Sequence, residues 1–283
     1  MDYAFCYNIE NYTCVEMQYS GESILFRGRD AFGELVVTEG ALVRTLYFGN
    51  EKRQSAMFLQ HAGLLVLEYT QVMMLSLIFN RQPHRVFCLG LGGGSIPKFL
   101  LRACHVSQVD VVELRQAVIQ VAYRFFDVPE NSSRLNIECA DGASYFDGVA
   151  QHKSYDLMFI DGFDRDGPVD AVSNIPYLAK CASHLSANGI LCINLWNRRK
   201  DDFQQRLKEI RALFDGGVLL YQLGKLNSNV VLFCFRNRSQ ALQIKRYEHA
   251  SRQLQREFGI NFRKYFSRLY KQNVPMYQRL MRA

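Results

Sequence analysis

Between residues 84 and 235, short and continuously apolar segments alternate with segments of helical periodicity, and this alternation constrains the fold more than any other feature. Strands that are buried on both faces of a parallel sheet have this character, because helices cover each face. The predicted strands span 86–89, 109–112, 135–139, 157–160 and 190–194. The predicted helices span 96–104, 115–126 and 201–214.

Two further apolar segments, 218–221 and 230–235, are separated by only eight residues. A parallel crossover needs a dozen or more residues, so these two strands are predicted to pair antiparallel. A mostly parallel sheet that ends in an antiparallel hairpin is typical of AdoMet-dependent transferases rather than of NAD dehydrogenases. The sequence therefore predicts an α/β fold with an AdoMet-methyltransferase-like Rossmann domain.

The chain divides into four predicted units. Alternating apolar and polar residues between turn signals indicate a small N-terminal antiparallel sheet over residues 1–54. A largely apolar stretch from 55 to 80, with Gly63 inside it, predicts a helix that connects the sheet to the next unit, over 55–83. The Rossmann-like domain then spans 84–238, and a basic helical C-terminal extension spans 239–283.

The positive charge of the chain is concentrated in this extension. The net charge is +7, but from residue 236 onward twelve Lys and Arg face two Glu, a local balance of +10. Apolar residues at 244, 247, 250, 254 and 258 recur at helical spacing, with basic residues off that stripe. This pattern favours a docked helix with a solvated basic side. The alternative is an anion-binding surface for nucleic acid or an acidic partner.

Cysteine usage and hydropathy indicate a cytoplasmic protein. The eight cysteines include no pair with the two-residue spacing of a zinc knuckle or redox motif, so a reducing compartment and no structural metal are expected. No stretch reaches the 18 or so apolar residues that cross a bilayer, and the N-terminus has no basic leader before an apolar run. We therefore expect neither a membrane association nor a signal peptide.

Three successive predicted strands end in residues suited to a nucleotide. The first leads into a glycine-rich turn that opens a helix, in which glycines let the backbone approach a ligand closely. The second ends at Glu113, next to Leu114, where an acid can accept hydrogen bonds from both ribose hydroxyls. The third leads into Asp141 and Gly142, where a carboxylate can meet the adenine amino group. The turn residues in this prediction are Gly90, Gly92, Gly93, Gly94 and Ser95.

Each of these features has a simpler interpretation: a tight connection, an acid favoured by a helix dipole at Glu113, or a helix N-cap at Asp141. Their order at successive strand ends favours the nucleotide site over coincidence.

Several segments of the chain resemble the spermidine-synthase (polyamine aminopropyltransferase) family. They are residues 89–97, 109–113, 140–142 and 155–167, together with 32–40. The residues of these motifs look most like those of the family's divergent bacterial spermidine-synthase-like branch.

The resemblance implies that decarboxylated AdoMet donates an aminopropyl group to a diamine such as putrescine, in a homodimer. Asp161 and Asp164 correspond to the two acids of the family's "DSSDP" loop, and the resemblance makes Asp161 the base and Asp164 a diamine anchor or co-base. Asp166 is interpreted as an acid of the loop without a catalytic role. Tyr69 falls about one residue from a family tyrosine that lines the diamine channel, although a core aromatic explains it equally well.

Two departures leave the donor and acceptor open. The family's glycine motif has an aspartate that grips the aminopropyl ammonium, and Ser95 is taken to stand there. The glutamine that usually follows in the small sheet is missing at 41–44. An AdoMet-dependent methyltransferase with an unknown acceptor is therefore the alternative, because ordinary AdoMet carries a carboxylate that an aspartate would repel. A non-catalytic binding protein on the same fold is the third interpretation.

Overall fold

The computed structural model describes residues 21–49, 53–130, 132–147, 153–162, 169–197, 200–224 and 228–274. Within these ranges an N-terminal sheet is an antiparallel meander in the order β1-β2-β3-β4. Its strands are β1 (Ser23–Asp30), β2 (Gly33–Glu39), β3 (Val43–Tyr47) and β4 (Arg53–Phe58). The predicted small antiparallel sheet is confirmed.

A second sheet has seven strands in the order β10-β11-β9-β8-β5-β6-β7. Strands β5 to β9 pair parallel, whereas β11 pairs antiparallel with both β9 and β10. The α/β fold with its terminal antiparallel hairpin is therefore confirmed. The strands are β5 (Arg85–Leu89), β6 (Gln108–Glu113), β7 (Leu135–Cys139), β8 (Tyr155–Ile160), β9 (Leu185–Trp196), β10 (Val218–Gln222) and β11 (Asn229–Phe235).

Helices cover both faces of this sheet, and alternate strand residues enter two separate apolar clusters. Val86 and Cys88 of β5 pack on one face with α3 and α4, whereas Phe87 and Leu89 pack on the other with α5 and α6. This is why the strands read as continuous apolar runs in the sequence. The helices are α1 (Glu68–Met73), α2 (Ser76–Phe79), α3 (Ser95–Ala103), α4 (Gln116–Phe125), α5 (Ile175–Ser183), α6 (Lys200–Leu213), α7 (Ser239–Leu242), α8 (Glu248–Phe258) and α9 (Phe262–Asn273).

The strand order places a crevice at one edge of the sheet. From β5 the chain builds β6 and β7 on one side and then returns to build β8 and β9 on the other. Loops that leave the carboxyl ends of β5 and β8 therefore run in opposite directions, and such a switch point is where open α/β sheets bind ligands. Glu113 ends β6, and Asp141 and Asp161 follow the carboxyl ends of β7 and β8 at this edge.

The predicted helix over 55–80 is wrong for its first part. Residues 55–58 belong to β4, and helix begins only at Glu68. Ser55, Ala56 and Met57 are buried where β4 pairs with β3. A run of so few apolar residues has no decisive periodicity, so only the pairing partner distinguishes strand from helix. The boundaries of the four predicted units stay a prediction.

The C-terminal extension docks through its apolar stripe. Ile244 and Leu254 are buried, whereas Lys245, Arg246 and Arg252 are exposed, so a packed helix with a solvated basic side is what the structure has. The anion-binding surface for nucleic acid or an acidic partner stays the alternative that was not favoured. Among the helices of the described ranges, none is both long and apolar enough to cross a membrane.

Candidate functional site

The turn after β5 requires glycine at several positions. Gly90, Gly92 and Gly94 have φ angles of 88°, 53° and 67°. These angles lie in the left-handed region, where a residue with a side chain is strained. At Gly90 a Cβ atom would also lie 2.6 Å from the carbonyl oxygen of Asp161. Gly90 and Gly92 line the cleft described below, whereas Gly93 and Gly94 pack behind the turn.

Glu113 ends β6 with its carboxylate held against this turn. Its Oε2 accepts a hydrogen bond from the Leu91 backbone N–H (2.9 Å), and its Oε1 accepts one from the Arg115 N–H (2.9 Å). Burial raises the pKa of Glu113, and these backbone donors, with the Arg115 charge, act in the opposite direction. A carboxylate has about four lone-pair sites, so acceptor capacity remains for ligand hydroxyls. Its neighbour Leu114 is exposed and lines the same cleft.

Asp141 and Gly142 follow β7 and border the cleft from the next position along the edge. The Asp141 Oδ1 accepts a hydrogen bond from the Ala143 backbone N–H (3.0 Å), which closes a local turn. Ala143 lies in a turn and not in an α-helix, so Asp141 closes this turn rather than capping a helix, and its exposed carboxylate also faces the cleft. The two roles are compatible because one carboxylate can accept several hydrogen bonds.

Asp161 follows β8 with both of its oxygens engaged. Oδ2 accepts a hydrogen bond from the Tyr69 hydroxyl (2.9 Å), and Oδ1 accepts one from the Asn194 side-chain amide (2.8 Å). Burial raises the pKa of Asp161, and the bonds from Asn194 and Tyr69 oppose that rise. The result is a half-buried carboxylate with a fixed orientation and a raised proton affinity, which suits a general base.

Tyr69 is partly buried on α1, where it packs against the apolar core and its hydroxyl donates to Asp161. Its contact with a diamine stays a prediction. Burial and the charge of Asp161 raise the pKa of Tyr69, so its hydroxyl stays a donor to the carboxylate. Asp164 and Asp166 lie outside the described residues.

Two asparagines that the sequence analysis missed complete this arrangement. Asn194, near the end of β9, is buried, and its side-chain oxygen accepts a hydrogen bond from the Asn229 amide (2.9 Å) on the neighbouring β11. That bond fixes which end of Asn194 faces Asp161, so the amide must donate. The available signal was a polar residue at the carboxyl end of an otherwise apolar strand.

A cleft of about 760 Å³ joins these groups. The carboxyl ends of β5 to β9 form one wall, and the N-terminal sheet forms the other. Arg115 fastens the two walls together: its Nε and Nη2 donate to the carboxylate of Asp30 (3.0 and 2.8 Å), and its guanidinium lies 4.7 Å from the Phe48 ring centre. Arg115 was also missed, because 85 residues separate it from Asp30 and no local pattern links them.

Ser95 opens α3 at the end of the cleft nearest to β4. Its hydroxyl oxygen lies 3.3 Å from the Ser55 hydroxyl and 3.3 Å from the Ala56 carbonyl oxygen. No residue from Gly90 to Ser95 carries a carboxylate, and Arg53 contributes a cation to the same lining. This end of the cleft therefore lacks an acid from the glycine turn.

Among the residues that the structure describes, no three His, Cys, Asp or Glu side chains cluster as a metal site would require. The cleft instead combines a turn of glycines, two carboxylates at neighbouring strand ends and a third carboxylate held by Tyr69 and Asn194. Such a site can hold a nucleoside and remove a proton from a bound amine.

Comparison with known proteins finds relatives and solved structures to which this chain is similar. A polyamine aminopropyltransferase of Chromobacterium violaceum is 31% identical over 247 residues, covering 86% of this chain and 92% of the relative. The spermidine synthase of Thermotoga maritima has the same fold, with a TM-score of 0.64 and 15% identity over 91% of this chain and 86% of that one. Human methyltransferase-like protein 13, solved in complex with SAH, has a TM-score of 0.53 and is 25% identical, and the match covers 64% of this chain and 92% of that one.

The match to a family model is the most direct of these comparisons. The model for the spermine/spermidine synthase domain matches residues 67–223, which include Tyr69 and the carboxyl ends of β5 to β9 that border the cleft. This range covers more than half of the chain. The chain belongs to the spermine/spermidine synthase family.

Proposed function

We propose that this chain transfers the aminopropyl group of decarboxylated AdoMet to a diamine such as putrescine. The observation that carries the proposal is the position of Asp161, whose carboxylate is held by Tyr69 and Asn194 beside the glycine turn in one cleft. The names of the aminopropyltransferase relatives support the same reaction.

In this proposal the strand ends bind the donor's adenosine. Glu113 accepts hydrogen bonds from the ribose hydroxyls, because its carboxylate borders the cleft with acceptor capacity to spare. Asp141 accepts from the adenine amino group, and Leu114 contacts the base between them. Gly90, Gly92 and Gly142 line the cleft with backbone, and a Cβ at Gly90 or Gly142 would collide with Asp161 or Leu89.

The chemical step needs an unprotonated amine. The nitrogen lone pair of the acceptor attacks the donor methylene carbon that is bonded to the sulfonium. The carbon–sulfur bond breaks with its electron pair going to sulfur, so neutral methylthioadenosine leaves. Asp161 takes the proton that the nitrogen loses, and burial suits it because a raised pKa makes it a better proton acceptor. Asp164 is proposed as a second diamine contact.

The direct test is product analysis. Purified protein incubated with decarboxylated AdoMet and putrescine should yield spermidine and methylthioadenosine, which mass spectrometry distinguishes from the substrates. A folded preparation that binds the nucleoside but forms neither product would refute the proposal. Light scattering on the same preparation measures the homodimer that the family resemblance suggests. The cytoplasmic location predicted from the cysteines is tested by cell fractionation.

A methyltransferase is the second candidate, and one observation favours it. The glycine turn offers no carboxylate to the donor's ammonium, while Arg53, which also pairs with Glu22 (3.4 Å), lines the same cleft as a cation for the carboxylate of ordinary AdoMet. The similarity to human methyltransferase-like protein 13 points the same way. Calorimetry with both donors separates the candidates, because a clear preference for decarboxylated AdoMet would exclude the methyltransferase. Turnover that Asp161→Asn abolishes would exclude the non-catalytic interpretation.

A further inference from the structure

Within the described residues, the free edge of β10, the outer strand of the seven-stranded sheet, is hydrogen-bonded by side chains instead of a strand. The Asn273 side chain on α9 donates to the Leu220 carbonyl (2.8 Å) and accepts from the Leu220 N–H (2.8 Å). Gln272 does the same at Gln222, at 3.2 and 3.1 Å. Residues 220 and 222 are two apart along the strand, so the peptide groups of both point toward this free edge. These hydrogen bonds therefore fix the position of helix α9 along the edge of the sheet.

The same helix reaches the rim of the cleft. Arg268 donates from Nη2 to the carbonyl oxygen of Leu223 (2.7 Å), and Leu223 lines the cleft. One turn earlier, the Tyr265 hydroxyl donates to Oε1 of Gln71 on α1 (2.9 Å). Gln71 in turn donates from Nε2 to the Leu65 carbonyl (2.8 Å) in the loop that leads into α1. The contact therefore connects α9 to both the helix and its entry.

Helix α1 depends on such outside contacts. It has only six residues, Glu68–Met73, and no side chain in the described part of the chain caps its N-terminus. Helices this short are not stable alone, because the first turn costs more backbone entropy than its few hydrogen bonds return. Yet α1 presents the Tyr69 hydroxyl to Asp161 at 2.9 Å.

We infer that Tyr265 is a positioning residue for the acceptor half of the site: through Gln71 it sets the position of α1 and hence of Tyr69 against Asp161. The inference rests on the proposed function for its effect on turnover. It assigns a role in the reaction to the C-terminal extension, which lies outside the segment matched by the family model. The donor half, built on β5 to β7, makes no use of this connection.

The test compares Tyr265→Phe with Tyr270→Phe. Tyr265 is buried, so the phenylalanine keeps the packing and removes only the hydroxyl. Tyr270 lies on the same helix, and within the described residues its hydroxyl makes no hydrogen bond to α1, so it is the matched control. Tyr265→Phe loses one neutral hydrogen bond, which is worth about 1 kcal/mol. We therefore expect kcat/KM for putrescine to decrease about fivefold in Tyr265→Phe and to stay unchanged in Tyr270→Phe. The Kd for decarboxylated AdoMet should be unchanged in both variants. A general loss of structure would instead raise this Kd.

Hydrogen exchange of the peptide 68–73 supplies a second measurement that needs no turnover. Exchange should be faster in Tyr265→Phe than in Tyr270→Phe or the wild type. Equal exchange in the two variants, or equal kcat/KM in an active enzyme, would overturn the inference. A wild type that forms no spermidine would instead refute the proposed function, and the exchange experiment would still decide whether Tyr265 positions α1.

Discussion

Replacing Asp161 by asparagine should separate activity from stability. The amide oxygen of the new side chain can still accept from Asn194, and its NH₂ group can donate to the Tyr69 oxygen, so both neighbours keep a partner. The bonds change from charge-assisted to neutral, a loss of about 1 kcal/mol each. Burial raises the pKa of Asp161, which means that the ionised carboxylate is disfavoured in the fold, and the amide removes that cost.

These terms oppose each other, so the free energy of unfolding of Asp161→Asn should stay within about 1 kcal/mol of the wild-type value. Activity should fall much further, because an amide cannot take the proton of the amine. Loss of a general base lowers kcat/KM by about 10²–10⁴-fold. The assay is methylthioadenosine release at saturating donor, run beside a urea titration of each protein.

Asp156→Asn is the matched control on the same strand, β8. The Asp156 carboxylate accepts from the His84 and Arg85 backbone N–H groups (2.8 and 3.1 Å), away from the cleft. We expect Asp156→Asn to lose stability and keep kcat/KM. If Asp161→Asn retained kcat/KM within a few-fold of wild type, or if the control lost as much activity, the role of Asp161 as base would be refuted.

Three further predictions follow from the contacts of the site. Tyr69→Phe removes a hydrogen bond that lowers the pKa of Asp161, so the acidic limb of the kcat/KM–pH profile should move to higher pH; an unmoved limb would contradict this. Glu113→Gln should raise the calorimetric donor Kd about tenfold or more, because bonds to a charged acceptor are worth about 1.5–3 kcal/mol; unchanged affinity would exclude Glu113 from the ribose. Gly90→Ala should lower the free energy of unfolding by about 2 kcal/mol in urea, since the methyl meets the Asp161 carbonyl and φ is positive; a neutral effect would show that the turn can relax.

The parts of the site that the sequence predicted are those governed by local patterns. Buried parallel strands read as apolar runs, and their carboxyl ends meet at one edge, so the amino-acid order alone was enough to place Glu113, Asp141 and Asp161 beside the glycine turn. The antiparallel pairing of β10 and β11 followed from the length of their connection and is confirmed.

The parts that the sequence did not predict depend on partners far apart in the chain. Asn194 and Asn229 face each other only because β9 and β11 are neighbours, and Arg115 meets Asp30 across 85 residues. The strand β4 was not predicted because residues 55–58, four of its six residues, gain their strand conformation from pairing with β3. Such contacts are set by tertiary packing, which leaves no period or spacing in the sequence.

A crystal structure with methylthioadenosine, the product expected of aminopropyl transfer, tests the central claim most directly. The account predicts ribose hydroxyls within hydrogen-bond distance of the Glu113 carboxylate, the adenine amino group at Asp141, and the thioether sulfur facing Asp161 and Tyr69. A nucleoside bound elsewhere, or bound in this cleft with its sulfur directed away from Asp161, would contradict the account.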